Sequence, residues 1–354
     1  VKVAIRADAS VEIGTGHIMR CLTLATALQF QGSEVFFICK TLLENLEHKI
    51  RNQGFQVVRL GGCVAWNHSV DAQATISVIQ QYSSEIDWLI VDHYQIGRSW
   101  EQLIRPYIKK ILVLDDLADR DHDCDLLLDQ NLADDRHAQY QSLLPSHCLQ
   151  LLGIDYLLLR SEFWQTRSQR QNHRQNRCNV AQTLLITMGG SDPSNMTSLV
   201  IKALKSINQS LEVRVVIGIG CPYWEDIQLQ INAAPQHTIT CLHDISNMAS
   251  QMDWADVAIS AGGFTVYELA CIGVPSMIIA THPTQIRVAE AMHNHGINYF
   301  LGEASGLTVP SLAAQITQFL SDPLHLGAMS IQGQQFIDGL GVTRVIEKIH
   351  QLTR

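Results

Sequence analysis

Residues 1–39 read VKVAIRADASVEIGTGHIMRCLTLATALQFQGSEVFFIC. KVAIRA (2–7) and EVFFIC (34–39) are apolar runs of strand length, and between them Ile18, Leu22, Ala25 and Leu28 recur at helical spacing until Gly32 stops the helix. A strand, a helix and a second strand in that order make the right-handed crossover that joins parallel strands. Parallel sheets are covered by helices on both faces, so their strands read as near-continuous runs of Val, Ile and Leu.

The same alternation runs on through FQVVRL (55–60), WLIVDH (88–93), KILVLDD (110–116) and LLLDQN (126–131). It resumes with TLLITMGG (183–190), VRVVIG (213–218), VAISAGG (257–263) and SMIIA (276–280), with helices expected over 194–207, 264–272 and 285–294. Between the two series, QTRSQRQNHRQNRCN (165–179) almost loses its apolar side chains and reads as a linker. A chain of 354 residues exceeds the size at which one core stops growing. The expected organisation is an α/β protein of two doubly wound domains, 1–168 and 180–340, with a C-terminal helix at 341–354 packing back toward the first. Two such domains on a polar hinge are expected to face a central cleft, with ligands at the carboxyl ends of the strands.

Composition narrows the function. With 25 Lys and Arg against 34 Asp and Glu the formal net charge is -9, which argues against nucleic acid as a partner but leaves a single bound nucleotide open. The nine cysteines contain no Cys-x-x-Cys pair, so neither a disulfide framework nor a zinc knuckle is indicated, and a reducing cytoplasm fits. The first strand carries Lys2 and Arg6 with no long apolar segment behind them, so no signal peptide is expected. The longest apolar run, LACIGVPSMIIA (269–280), is too short to insert in a membrane and is broken by Pro275.

Three strand-to-helix turns carry candidate chemistry. In the first, Gly14 and Gly16 let backbone N–H groups approach an anion at a helix start, and His17 follows directly. It is not a dinucleotide fingerprint, whose third glycine would fall at Met19, and no Walker A sequence follows. His17 reads either as an ordinary first-turn residue or as a base kept neutral by the positive end of the helix. In the second turn, Gly262, Gly263, Phe264 and Thr265 offer N–H groups for a diphosphate and Glu268, one turn on, a carboxylate for a ribose diol; a close-packed turn with a solvated Glu268 is the other reading. In the third, Gly189, Gly190 and Ser191 end a strand, and Ser194 or Asn195 looks like the helix cap. The alternating Asp119, Asp121, Asp123 and Asp125 are not a calcium loop, because Cys124 stands where glycine is required and Gln130 where the closing glutamate is. His293, Asn294 and His295 lie near a helix end and read as solvated, so no metal site is expected.

Taken in order, RADASVEIGTGHIMRCLTLA (6–25), VDHY (91–94), LDD (114–116), LLLDQN (126–131), LLGIDYLLLRSEF (151–163), MGGSD (188–192) and SAGGFTVYELACIGVP (260–275) resemble the UDP-sugar hydrolases of pseudaminic acid biosynthesis. These UDP-2,4-diacetamido-2,4,6-trideoxy-beta-L-altropyranose hydrolases are relatives of the two-domain GT-B glycosyltransferases. The resemblance implies a GT-B fold of two Rossmann-like domains, a UDP-sugar as the small-molecule substrate, no cofactor and no metal. It implies that His17 activates a water for inverting attack on the anomeric carbon, that Tyr94 lines the sugar pocket and that Arg160 contacts substrate. Arg6, Asp8, Gly14 and Gly16 match the first motif on the sugar side, and Thr284 and Gln285 stand where the family often has Asn-Gln. Gly190, Gly262, Gly263, Phe264, Thr265 and Glu268 fall on the UDP side.

That chemistry is consistent with a lone histidine. Glycosidases need two carboxylates because their leaving group must be protonated. A nucleoside diphosphate leaves as a stable anion, so one base and a set of backbone donors suffice. A GT-B glycosyltransferase using a UDP-sugar donor, and a nucleotide-sugar binding protein without turnover, are the alternatives.

Overall fold

The computed structural model describes residues 1–10, 15–61, 66–81, 85–132, 136–173, 180–218, 220–243, 245 and 247–353. The chain divides into two compact units: Val1–Leu159 with Leu340–Arg354, and Arg160–Gly339.

Unit 1 holds a parallel sheet of β1 (Lys2–Ala7), β2 (Glu34–Cys39), β3 (Gln56–Arg59), β4 (Trp88–Asp92), β5 (Lys110–Leu114), β6 (Leu126–Asp129) and β7 (Leu149–Leu152) in the order β3-β2-β1-β4-β5-β6-β7. Its helices are α1 (Gly16–Phe30), α2 (Glu44–Asn52), α3 (His68–Gln80), α4 (Arg98–Ile104) and α5 (Arg136–Tyr140). The alternation of a strand decides what each face buries. Val3, Ile5 and Ala7 of β1 pack with Ile18, Leu22 and Leu28 of α1. Ala4 packs on the other face with Ile76 of α3 and Trp100 of α4. The strand order reverses between β1 and β4, the topological switch point at which doubly wound sheets open a crevice.

Unit 2 repeats the plan with α6 (Ser161–His173), β8 (Thr183–Thr187), α7 (Met196–Leu204), β9 (Glu212–Ile217), α8 (Trp224–Asn232), β10 (Thr238–His243) and α9 (Met248–Trp254). It continues through β11 (Val257–Ala261), α10 (Thr265–Ile272), β12 (Ser276–Ala280), α11 (Pro283–Asn294), β13 (Tyr299–Glu303), α12 (Val309–Leu320) and α13 (Pro323–Phe336). The sheet order is β10-β9-β8-β11-β12-β13, so its switch point lies between β8 and β11.

The expected linker begins too early. Residues 165–173 are helical, within α6, while 174–179 lie outside the described residues. The helix belongs to unit 2 because two of its arginines meet helix-end carbonyls there. Arg167 donates to Cys271, Gln334 and Ile337, and the buried Arg170 to Met252, Asp253 and Ala255. Carbonyls at helix ends lack intrahelical donors, so a guanidinium fits them better than water does in a buried place. The last helix, α14 (Gly341–Thr353), joins unit 1: Val345, Ile346 and Ile349 enter its core, and Trp88 donates to the Thr353 hydroxyl at 2.8 Å. Gly341 begins it against the backbone of Leu157, where a Cβ has no room. Among the described residues no helix is long and apolar enough to cross a membrane.

Candidate functional site

In unit 1 the carboxyl ends of β1 and β4 lie side by side, with Ala7 opposite Asp92 in register. Each end supplies an aspartate and each element following it a histidine, and the pairing is crossed. His17, the second residue of α1, meets the strand β4 residue Asp92 through Nδ1. His93, just after β4, meets Asp8, just after β1, with Nε2 at 3.3 Å from Oδ2.

The two histidines are not equivalent. His93 Nδ1 accepts from the Gln95 N–H at 3.1 Å while Nε2 faces Asp8, so both ring nitrogens are used, and the ring stacks on Trp66 at 4.5 Å. His17 presents Nδ1 to a carboxylate, which accepts the ring proton there and leaves Nε2 with the lone pair. Among the described residues His17 Nε2 has no hydrogen-bond partner. Tyr94, half-exposed, meets the His17 ring edge-on at 4.4 Å. Burial, and the nearby Asp116 carboxylate, push the Tyr94 hydroxyl above its usual range, so it stays a donor.

Asp92 is fully buried. Burial works against its charge, but the Arg20 guanidinium, and then His17, hold the carboxyl well below the usual carboxylate range. Arg20 donates from Nε and Nη2 to the two Asp92 oxygens at 2.6 and 2.7 Å, and from Nη1 to both oxygens of Asp116 at 2.8 Å. Asn131, just after β6, donates to Asp116 at 3.1 Å. The Tyr140 hydroxyl donates to Asp115 and Asp129. The motifs VDHY, LDD and LLLDQN thus form one row along the ends of β4, β5 and β6.

Arg6 and Asp8, expected on the sugar side, stand behind that row. Arg6 lies on the β1 face opposite α1, is wholly buried, and is held by Asp8 at 2.6 Å and by Asp71 of α3 at 2.8 Å. Asp8 also accepts the Lys40 and Thr41 N–H groups, and hydrogen bonds from His93 and Arg6 offset burial to keep it ionised. Arg6 is therefore placed to support the turn after β1. Gly16 opens α1 at the surface, with nothing among the described residues near the position of a Cβ. Gly14 lies outside the described residues.

In unit 2 the turns after β8 and β11 flank the switch point. They differ in one decisive respect. At the start of α7 the buried Asp192 accepts from the Met196 and Thr197 N–H groups at 2.8 and 2.9 Å, so the cap comes from Asp192 and not from Ser194 or Asn195. Asn195 occupies the cap position in a left-handed conformation, with no side-chain cap. That helix end is already occupied by a carboxylate. At the start of α10 there is no side-chain cap, and the N–H groups of Gly263, Phe264 and Thr265 have no acceptor among the described residues. Three donors at the positive end of a helix suit an anion.

Glu268 lies in the first turn of α10, where burial pushes its carboxyl up to about 7 against the nearby Arg160 charge. Arg160, expected on the sugar side of the N-terminal domain, falls in unit 2, with Nη2 3.6 Å from Glu268 and Nη1 3.1 Å from Glu162. Gln285 accepts from the Thr281 N–H and hydroxyl and packs beside Gly262; the Thr284 hydroxyl meets His282 Nδ1 at 2.8 Å. Gly190 is exposed, its carbonyl accepting the Gly220 N–H. The acidic run 119–125 is tied up by cations: Asp125 by Arg105 and Lys110, Asp121 by Arg98, Asp119 by Arg120.

Asp92, Arg20 and Asp116 are the members of the unit 1 row that motif reading did not single out. Their signal was positional: Asp92 ends the strand next to β1 in the doubly wound order, and Arg20 is one helical turn from His17.

Residues 183–341 match the glycosyltransferase family 28 C-terminal domain. An uncharacterized protein of Methanocaldococcus jannaschii is 27% identical over 80% of this chain and 57% of its own length. The UDP-2,4-diacetamido-2,4,6-trideoxy-beta-L-altropyranose hydrolase of Campylobacter jejuni is 32% identical over 56% of this chain and 63% of its own length. The chain thus spans about three-fifths of the length of these curated relatives. The crystal structure of MurG from Acinetobacter baumannii superposes with a TM-score of 0.70 at 18% identity, covering 99% of both chains. The fold is that of two parallel-sheet, Rossmann-like units, as in GT-B glycosyltransferase structures such as MurG.

Proposed function

We propose that the protein hydrolyses a UDP-linked 2,4-diacetamido-2,4,6-trideoxy sugar at the anomeric carbon, with inversion, releasing UDP and the free sugar for nonulosonic acid biosynthesis. The observation that carries the reading is the His17–Asp92 pair at the switch point of unit 1, with Nε2 of His17 unpartnered among the described residues. His17 Nε2 takes a proton from water, the water oxygen bonds to the anomeric carbon, and the bond from that carbon to the diphosphate oxygen breaks with its electron pair leaving on UDP. Asp92 compensates the imidazolium formed on the way. Tyr94 beside the ring offers a hydroxyl donor to the sugar. On the nucleotide side, Gly262, Gly263, Phe264 and Thr265 at the start of α10 hold the diphosphate, with Gly190 nearby across the unit 2 switch point, and Glu268 takes the ribose diol. The Campylobacter jejuni relative, a UDP-2,4-diacetamido-2,4,6-trideoxy-beta-L-altropyranose hydrolase, supports the same substrate class.

The test is to incubate the purified protein with the UDP-sugar alone in heavy-oxygen water. UDP release with label on the sugar supports hydrolysis at carbon. Label on UDP means attack at phosphorus, and no release without an added acceptor favours the glycosyltransferase reading that the family 28 match also allows.

A further inference from the structure

We infer that Arg20 is a positioning residue: by clamping both oxygens of Asp92, it fixes which ring nitrogen of His17 carries the proton and so leaves Nε2 as the base. The inference rests on the proposed role of His17 and adds what controls it.

The geometry is a relay. His17 and Arg20 are one turn apart on α1 and share a face. Asp92 Oδ1 takes both His17 Nδ1 and Arg20 Nη2, and Oδ2 takes Arg20 Nε and, at 3.5 Å, the Cys21 thiol. Arg20 is held in turn from its far side by Asp116, which Asn131 orients. Among the described residues, the titratable and charged groups facing Asp92 are therefore Arg20, His17 and Cys21 from α1, with Asp116 acting through Arg20 and Tyr94 through the His17 ring.

Arg20 matters because of where Asp92 sits. A carboxyl with no exposure prefers to be neutral, and the largest influence holding Asp92 ionised is Arg20. An ionised Asp92 is an acceptor only, so the ring proton stays on Nδ1. A protonated Asp92 would donate to Nδ1 instead, the ring proton would move to Nε2, and the base would be lost without any change in its position. The fork of arginine is needed as well as the charge, since Nε and Nη2 fix both oxygens at once.

The experiment reads the tautomer directly. In protein carrying 15N-labelled histidine, with His17 assigned by comparison with His17→Gln, the wild type should show the proton on Nδ1 at pH 7. In Arg20→Gln the proton should move to Nε2 at pH 7 and return to Nδ1 only at higher pH, with the acid limb of turnover rising by about one pH unit or more. Arg20→Lys, which keeps the charge and protects the fold if the glutamine variant does not fold, should give an intermediate shift. An unchanged tautomer and acid limb in folded Arg20→Lys and Arg20→Gln overturns the inference. A wild type with the proton on Nδ1 but no release of UDP from the UDP-sugar overturns the hydrolase reading and leaves the role of Arg20 standing.

Discussion

Arg160 and Glu268 face each other across 3.6 Å within unit 2, although they are more than a hundred residues apart in the chain. The guanidinium also pairs with Glu162 and lies 4.9 Å from the centre of the Phe163 ring, so a segment that reads as the end of the first domain is built into the start of the second. The arginine assigned to the sugar and the carboxylate assigned to the ribose are one local cluster.

That cluster predicts a pH-dependent stability. Glu268 rises from an ordinary 4.5 to about 7 on folding, a difference worth about 3 kcal/mol. Below 4.5 the carboxyl is protonated in both states and nothing is lost. Between 4.5 and 7 the unfolded chain gives up its proton while the folded one keeps it, so stability falls as pH rises, and above 7 the whole penalty is present. Glu268→Gln should therefore raise the Tm by several degrees at pH 8 and leave it nearly unchanged at pH 4.5. Thermal scans at the two pH values decide it, and an equal shift at both contradicts the buried carboxyl.

His17→Ala should lower turnover of the UDP-sugar by about 10² to 10⁴ with little loss of substrate affinity, the usual scale of a general base. Asp92→Asn should fall in the same range although its shape is kept, because an amide no longer compensates the imidazolium. Steady-state kinetics with separate kcat and KM check both; a variant with near-normal kcat removes the base from the mechanism.

Most of the central strands were legible because they are buried on both faces and read as apolar runs: KVAIRA, EVFFIC and SMIIA are β1, β2 and β12 without a residue's difference. The strands that escaped, β7, β10 and β13, are all sheet edges, and their half-exposed sequences LQLL, TITCLH and YFLGE lack that run. The polar helix α6 escaped for the opposite reason: its anchors are arginines bound to carbonyls, which no hydrophobic pattern reveals. His17 stood out by its place after two glycines. Asp92 did not, because its contact with His17 spans 75 positions and arises from the β1–β4 pairing.

Asp192 should matter for stability more than its position in an exposed turn suggests. It satisfies two N–H groups of α7 and takes a left-handed backbone, φ 44°, that alanine tolerates poorly. Asp192→Ala should cost about 2 kcal/mol, and Asp192→Asn about half of that, since asparagine keeps one acceptor and the backbone preference. Urea denaturation gives both values. Equal costs for the two variants would show that the charge, and not the acceptor, carries the cap.

The two glycines before α10 should separate folding from binding. A Cβ at Gly262 lies 3.0 Å from Cβ of Gln285 and 3.4 Å from Ile278, so Gly262→Ala must displace Gln285 and should lower the Tm. Among the described residues a Cβ at Gly263 meets nothing within 4 Å, and Gly263 does not need a positive φ, so Gly263→Ala should fold with an unchanged Tm. That open space is where a diphosphate must approach if the N–H groups of Gly263, Phe264 and Thr265 are its donors, because the backbone comes close to a phosphate only where no side chain intervenes. Gly263→Ala should then weaken UDP binding by about tenfold or more, a loss of about 1.4 kcal/mol. Calorimetric titration of UDP into the variant measures this, and full affinity in a folded Gly263→Ala protein would place the nucleotide away from the start of α10.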